Sequence, residues 1–496
     1  MEPKDLREQR VEKLADLQAK GIDPYPHRYR RTHTSAEAMA QFEREEQQNG
    51  GAATQENSPE WRLAGRLVST RGMGKVTFAH IQDGAGRIQL FFRRDALGPE
   101  TYSLLKDLDI GDIIGVSGRM FRTKTGEPTL QVSALDVLAK SLLPLPEKWH
   151  GLQDVEKRYR QRYLDLIASE STREVFASRS KMISAIRAFM QRRGYVEVET
   201  PILHGSAGGA AARPFVTHHN ALDRTLYLRI ATELHLKRLV VGGFEKVFEI
   251  GRIFRNEGIS TKHNPEFTMM ESYEAYADYG DMMALVEDLA ASAAREVLGA
   301  QKVTFDGQEI DLTPPWRRIT LRDAILDNSG IDFYEYPDTE SLRARLDAEG
   351  LRTDPTQGRG KLIDELLSVL VEPKLIQPTI LYDYPVELSP LAKRRPDNPA
   401  LVERFEAFIA GFEVANAYTE LNNPIDQRER FMEQLALRAA GDEEVELIDE
   451  DFLQALEHGM PPTGGLGVGI DRLAMILTNQ QSIREVILFP ALRVKG

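Results

Sequence analysis

Arginine, histidine, an aromatic and several carboxylates crowd into one stretch: Phe254-Arg255-Asn256-Glu257-Gly258, then His263-Asn264-Pro265-Glu266-Phe267-Thr268-Met269-Met270-Glu271. Two strands are expected here, over 247–257 and 267–273, and side chains alternate between the faces of a strand. Arg255 and Glu257 then share one face of the first strand, and Phe267, Glu271 and Tyr273 share one face of the second. The loop between them carries Lys262, His263 and Asn264. An antiparallel hairpin with these faces aligned groups an arginine for a phosphate, an aromatic for a flat base and a carboxylate for a cation. That is a nucleotide site beside a cation site.

Further segments repeat the theme. Glu406, Glu413 and Glu420 form a row of glutamates. A hairpin turning at Ala410-Gly411 puts Phe408 opposite Glu413, with Glu406 two residues along the same face, and two such carboxylates can share a hard cation such as Mg²⁺. Asn416, Tyr418 and Glu420 alternate onto the other face, so a single site for all five requires a bulge or twist between Glu413 and Asn416. In Gly464-Gly465-Leu466-Gly467-Val468-Gly469-Ile470-Asp471-Arg472 the glycines miss the spacing of a dinucleotide loop. They form instead a strand whose backbone a ligand can approach closely, leading into a helix that opens with Arg472. In Ala231-Thr232-Glu233-Leu234-His235-Leu236-Lys237-Arg238, Thr232 suits a helix cap and Glu233 the positive end of the helix dipole.

These groups need a scaffold, and 496 residues allow two or three domains. Residues 3–20 have an amphipathic helical pattern, and the polar run 43–60 reads as a loop or frayed helix end. Residues 61–142 carry five short strand-like runs, with a helical run between the third and fourth, the pattern of an OB-fold barrel. Within 61–140, twelve Lys/Arg stand against eight Asp/Glu. The whole chain is acidic, with 63 Lys+Arg against 76 Asp+Glu and a net charge of -13, so RNA contacts must use local basic patches. Phe78, with Arg71, Lys75 and Gln89 nearby, reads either as barrel core or as a platform for a stacked base. Residues 143–171 read as a linker with a basic helical stretch. Residues 172–496 alternate strands and helices around antiparallel hairpins, beginning with a long helix over 172–193 closed by Gly194; 337–376 looks like a helical insertion. The expected class is α+β. Cysteine is absent, which excludes disulfides, thiolate metal sites and cysteine nucleophiles. The charged first ten residues do not look like a secretory leader, and no apolar run reaches membrane-spanning length, so a cytoplasmic location with no membrane partner is expected.

The Arg255–Glu271 run resembles motif 2 of the class II aminoacyl-tRNA synthetases, and its wording resembles the bacterial lysyl-tRNA synthetase family of class IIb. Gly464–Leu473 resembles motif 3. Arg193-Gly194-Tyr195-Val196-Glu197-Val198-Glu199-Thr200-Pro201-Ile202-Leu203 resembles motif 1, which in that family builds a homodimer interface. The resemblance implies an N-terminal OB-fold anticodon-binding barrel and a catalytic domain built on an antiparallel sheet flanked by helices. It implies ATP bound by Arg255 at the α-phosphate, Phe267 under adenine, His263 and Asn264 near the phosphates, Glu257 at adenine or the substrate amine, and Arg472 at the γ-phosphate. Mg²⁺ would lie on Glu406 and Glu413. Lysine would be held by Gly209, Glu233, Glu271, Tyr273, Asn416, Tyr418 and Glu420, and the anticodon read by Arg71, Phe78 and Gln89.

The activity implied is formation of lysyl-adenylate from L-lysine and Mg-ATP, with transfer of lysine to the 3′ end of tRNA-Lys. Relatives that activate aspartate or asparagine call for an arginine or polar partner where Glu271 and Glu420 stand here. A buried ammonium needs compensating charge, and two carboxylates favour lysine. A protein lysyltransferase lacks the barrel that 61–140 supplies, and a catalytically silent paralogue would have lost Arg255, Arg472 or a metal glutamate.

Overall fold

The computed structural model describes residues 3–48, 59–146, 152, 154–206, 208–210, 212–351, 353–355, 357–439 and 448–493. It divides into two compact units, Met1–Gln153 and Asp154–Gly496.

In the first unit, β1 (Trp61–Met73), β2 (Val76–Gln82), β3 (Arg87–Arg93), β4 (Ile113–Arg122) and β5 (Pro128–Ala139) close into a barrel of order β1-β2-β3-β5-β4. Short helical turns over 94–106 bridge β3 and β4. Alternation is strict in β2: Thr77, Ala79 and Ile81 point inward, while Phe78 and His80 stand half-buried on the outer face. The barrel interior is closed by Trp61, Phe92 and Leu130, and by Leu17, Ala38 and Phe42 from the helices Pro3–Ala19 and Ser35–Gln48. Much of the polar run 43–60 lies outside the described residues, and its first part continues the second of these helices.

The second unit is built on an eight-stranded sheet. Its strands are β6 (Val196–Glu197), β10 (Lys246–Phe254), β11 (Glu266–Ala275), β14 (Arg317–Thr320), β15 (Thr379–Pro385), β16 (Leu401–Ile409), β17 (Phe412–Thr419) and β18 (Thr463–Gly469). Two small sheets complete the set: β7 (Leu203–His204), β8 (Val216–His219) and β9 (Arg224–Leu228) form one, β12 (Lys302–Phe305) and β13 (Gln308–Asp311) the other. The large sheet has the order β14-β15-β16-β17-β18-β11-β10-β6, parallel only at its two outer pairs. The helices Glu170–Arg192, Tyr279–Leu298 and Ile470–Leu477 bury their apolar stripes in one core with Phe405, Val414 and Leu466. The first begins where the Ser169 hydroxyl caps Thr172 and ends before Gly194, whose φ of 84° lets the chain reverse.

Residues 143–171, expected to link the units, do more than that. The helices Val155–Arg160 and Arg162–Ala168 belong to the second unit. Arg162 is fully buried, bonded to Asp165 at 2.7 Å and to the carbonyls of Arg484 and Leu488 at 2.8 and 3.1 Å, so this stretch ties down the C-terminal segment. In 337–376, the helices Thr339–Ala348 and Arg359–Leu366 bury Leu342, Leu346, Leu362 and Ile363 together with Leu381 of β15 and Phe408 of β16. They back the site strands.

Candidate active site

Three adjacent strands, β17, β18 and β11, carry the site, and their register explains it. Directly opposed residues share a face. One row across the sheet reads Glu406, Asn416, Gly467, Glu271, Glu249; the next reads Arg404, Tyr418, Gly465, Tyr273, Val247. At the middle of each row stands a glycine. A Cβ on Gly465 would lie 1.9 Å from Glu420 Oε1 and 2.6 Å from the Tyr273 ring, and one on Gly467 would lie 3.0 Å from the Met269 methyl. The glycine strand thus hollows the face that its neighbours line with polar groups.

A cleft of about 250 Å³ opens on this face, lined among others by Arg255, Glu257, His263, Phe267, Glu413 and Arg472. The first motif 2 strand ends at Phe254, earlier than expected, although the Arg255 amide still donates to Pro265 at 2.9 Å. The Glu257 amide folds back on the Arg255 carbonyl at 2.9 Å, so Glu257 reaches the cleft from a tight turn and not from a shared strand face. The Arg255 guanidinium carbon sits 5.3 Å from the Phe267 ring centroid, a cation stacked against an aromatic wall. Asn264 is buried and works as a loop clamp: its amide donates to Glu266 at 2.6 Å and accepts from Ala491 at 3.1 Å. His263 Nδ1 lies 2.9 Å from the Ser260 hydroxyl. Burial and the Arg472 guanidinium lower its pKa and favour the neutral ring.

Arg472 stands in the first turn of the helix Ile470–Leu477 and donates to the Glu413 carbonyl at 2.7 Å and carboxylate at 2.9 Å. Its neighbour Asp471 is a residue that sequence reasoning passed over. The buried Asp471 carboxylate accepts from the Thr268 amide and from Arg179, each at 2.6 Å, locking this helix to β11 and to the long helix Glu170–Arg192. The run Gly-Ile-Asp-Arg contained the signal, an acid at the start of a helix.

The turn at Ala410-Gly411 forms with φ of 56° and 74°. Ala407 pairs with Ala415 but Phe408 pairs with Glu413, so Val414 is the extra residue of a bulge. That is the bulge required for Glu413 and Asn416 to serve one face. Glu406 is buried, accepts from the Tyr384 hydroxyl at 2.9 Å and pairs with Arg404. Burial, with Glu413 and Asp364 close by, raises its pKa to about 7 despite Arg404. The Asn416 side-chain oxygen, beside Glu406, is buried without a partner. Two carboxylates and an orphaned amide oxygen make an all-oxygen donor set, which fits Mg²⁺ shared with phosphate oxygens.

Deeper in the same face lies a carboxylate pocket. Glu233, Glu271 and Glu420 are all buried around Tyr273. Both Glu271 oxygens accept from the Thr232 amide at 3.2 Å. The side-chain cap expected at Thr232 does not form: its hydroxyl makes no capping bond. Burial and Glu233 raise the pKa of Glu271 to about 7, and burial with Glu233 and Glu271 raises Glu420 to about 8 against the pull of Lys237. Gly209, at φ 89°, packs on this helix start, where a Cβ would lie 3.1 Å from Ala231 and 3.4 Å from Glu233. Tyr418 lies under Arg404, whose guanidinium carbon is 5.6 Å from its ring. Sequence reasoning missed Lys237: its ammonium contacts Glu233 at 2.5 Å and also Glu420. Only the i,i+4 spacing to Glu233 signalled it.

On the barrel, Phe78 packs on Phe91 at 4.7 Å between centroids, and Phe91 on Phe121 at 5.7 Å. Arg71 is exposed directly across from Phe78. Gln89 pairs in register with His80, donates to Glu127 at 2.6 Å and accepts from Thr129 at 2.8 Å. The aromatic strip is an outer face, while Phe92 is core.

A family model described as tRNA synthetases class II (D, K and N) matches residues 154–493, and one described as an OB-fold nucleic acid binding domain matches residues 61–138. A lysine–tRNA ligase of Dehalococcoides mccartyi is 57% identical over 491 residues, covering 98% of this chain and 97% of its own. Lysine–tRNA ligases of Moorella thermoacetica and Carboxydothermus hydrogenoformans are 57% and 54% identical, covering 99% of this chain and 98% and 99% of theirs.

Proposed function

The chain belongs to the class II tRNA synthetases and, among them, to the lysine–tRNA ligases, and from that membership we propose how its own residues divide the work. The enzyme activates lysine with ATP and joins it to tRNA. The observation that carries the residue assignment is the adjacency of the Arg255–Phe267–Arg472 cleft to three buried carboxylates on one sheet face.

Arg255 and Phe267 form one wall, the ring under adenine and the guanidinium on the α-phosphate. Arg472 takes the γ-phosphate from the opposite side, exchanging its hold on Glu413. Glu257 reaches adenine or the substrate amine, and His263 and Asn264 shape the phosphate loop. In the pocket, Glu233 takes the α-ammonium of lysine with Gly209 beside it, and Glu271 and Glu420 take the side-chain ammonium with Tyr273; Asn416 and Tyr418 complete the walls. The lysine carboxylate is thereby aimed at the α-phosphorus, attacks in line and expels pyrophosphate. Positioning and charge neutralisation carry the catalysis. A terminal hydroxyl of tRNA, the 3′-hydroxyl for this class, then takes the lysyl group from the adenylate. Glu406 and Glu413, with Asn416 adjacent, would hold Mg²⁺, which neutralises phosphate charge when bound.

An acidic substrate would be repelled by these carboxylates, which sets aspartate aside. Residues 61–142 serve as the anticodon-binding domain, with Phe78 stacking a base and Arg71 and Gln89 contacting its neighbours; 172–496 is the catalytic domain. A homodimer through the motif 1 region is supported by apolar side chains exposed there, Val196, Ile202 and Leu203. A cytoplasmic location accords with the absence, among the described residues, of a helix long and apolar enough to cross a membrane. ATP–pyrophosphate exchange across the twenty amino acids tests the substrate: lysine should support the fastest exchange, and a faster rate with any other overturns the assignment.

A further inference from the structure

Lys237 has no exposed surface. It stands one turn after Glu233 on the helix Glu233–Val241, and its ammonium lies 2.5 Å from Glu233 Oε1 and in contact with Glu420 Oε2. The Phe452 ring closes the far side, 5.8 Å from the ammonium. The other Glu420 oxygen, Oε1, is buried with no hydrogen-bond donor, so its lone pairs remain open. Opposite, Gly465 leaves room against Glu420 Oε1 that any side chain would fill. Burying an ammonium is costly, and a buried ion pair is commonly no better for stability than well-packed apolar side chains. Packing alone therefore does not account for a lysine at this position.

We propose that Lys237 is a positioning residue that determines substrate length: its ammonium clamps Glu233 to Glu420, fixing the separation between the carboxylate that takes the substrate α-ammonium and one that takes its side-chain ammonium. The proposal rests on the lysine-pocket reading above. It accounts for the charge arrangement. Three carboxylates less one resident ammonium leave two negative charges, the number of ammonium groups a diamino acid brings. It also accounts for selection by length. With both carboxylates pinned, a diamino acid one methylene shorter, ornithine, reaches only one of them well, and a flexible pair of glutamates would close on either substrate. Lys237 touches no reacting atom in this scheme; it acts through its two partners.

The test is ATP–pyrophosphate exchange with lysine and with ornithine, run on the full-length parent, Lys237→Met and Lys237→Arg. Lys237→Met keeps an unbranched, flexible chain to within one atom of its length and removes the charge. It should raise the lysine KM at least tenfold, leave the ATP KM within twofold, and reduce the preference for lysine over ornithine at least tenfold. Lys237→Arg keeps the charge but widens the clamp; it should fold as the parent does and lose several-fold in the same preference. A folded Lys237→Met protein with lysine KM and preference within twofold of the parent overturns the proposal, as does a parallel rise in lysine and ATP KM. If Lys237→Met does not fold, a Lys237→Arg enzyme with the parental preference overturns it. A parent that does not favour lysine at all defeats the lysine reading itself, whereas a parent that favours lysine beside an unchanged Lys237→Met enzyme defeats only the clamp.

Discussion

Gly465→Ala places a single methyl group at the junction of the proposed lysine pocket. The added carbon would sit 1.9 Å from Glu420 Oε1 and 2.6 Å from the Tyr273 ring, where ordinary contact begins near 3.4 Å, so the carboxylate must retreat by about 1.5 Å. Glu420 and Tyr273 are buried and Lys237 stands behind Glu420, so the strain cannot be shed into solvent. Overpacking of this kind costs roughly 1–3 kcal/mol of stability. The displaced carboxylate also loses its charge-assisted contact with the substrate ammonium, worth on the order of 1.5–3 kcal/mol. At about 1.4 kcal/mol per decade, the lysine KM should rise roughly ten- to a hundredfold. ATP is held by a different part of the face, so its KM should stay within about twofold of the parent. Gly467→Ala is the comparator: its methyl presses on the flexible end of Met269, at 3.0 Å, on the wall of the nucleotide cleft, and meets the Asn416 carbonyl and Glu271 only at ordinary contact, 3.7 and 3.9 Å. Steady-state pyrophosphate exchange with lysine and ATP varied in turn measures both constants, and melting curves report the stability cost. A Gly465→Ala enzyme with parental lysine KM, or with both constants raised alike, would refute the placement of Glu420 beside bound lysine.

Glu406→Gln and Glu413→Gln should each raise the Mg²⁺ concentration needed for adenylate formation, and an unchanged titration in both removes them from the metal site. Phe78→Ala should weaken tRNA charging by roughly 1–3 kcal/mol of lost base stacking while sparing lysine-dependent exchange; a parallel loss of both activities would show that the ring matters to the fold instead. Burial raises the carboxyls of Glu271 and Glu420, to about 7 and about 8. A protonated carboxyl cannot pair with an ammonium, so the lysine KM should fall as pH rises from 6 to 8 with no matching change for ATP; a flat profile shows both groups already ionised. The same shifts bind protons in the folded state, so their contribution to stability is present at low pH and is lost as pH rises from about 4.5 toward 8. Lysine should therefore raise the melting temperature more at pH 8 than at pH 6.

What was legible in the sequence was what alternation and turn chemistry determine. The Ala410-Gly411 turn, the pairing of Phe408 with Glu413 and the need for a bulge before Asn416 all followed from period-two bookkeeping, and the bulge appears at Val414. The five barrel strands followed from short apolar runs separated by turn residues. What escaped depends on contacts between distant segments. Lys237 meets Glu420 across 183 positions of chain (237 to 420), and Asp471 meets Arg179 and Thr268, pairings with no local signature. The strand end at Phe254 was misplaced because Arg255 and Glu257, two positions apart, keep the spacing of one strand face; the Glu257 amide folding back on Arg255 ends the strand. Arg162 read as part of a basic linker because its carbonyl partners lie in the C-terminal segment.

The central claim is that buried carboxylates read the side-chain ammonium of lysine. Norleucine keeps the alkyl stem and lacks that ammonium, so the direct measurement is the ratio of exchange efficiency, kcat/KM, for lysine over norleucine in the parent and in Glu271→Gln. The account predicts a parent that uses norleucine very poorly, a Glu271→Gln enzyme whose lysine KM is higher by roughly tenfold or more, and a ratio that shrinks in the mutant. A parent that accepts norleucine well, or a ratio that the substitution leaves unchanged, would contradict it.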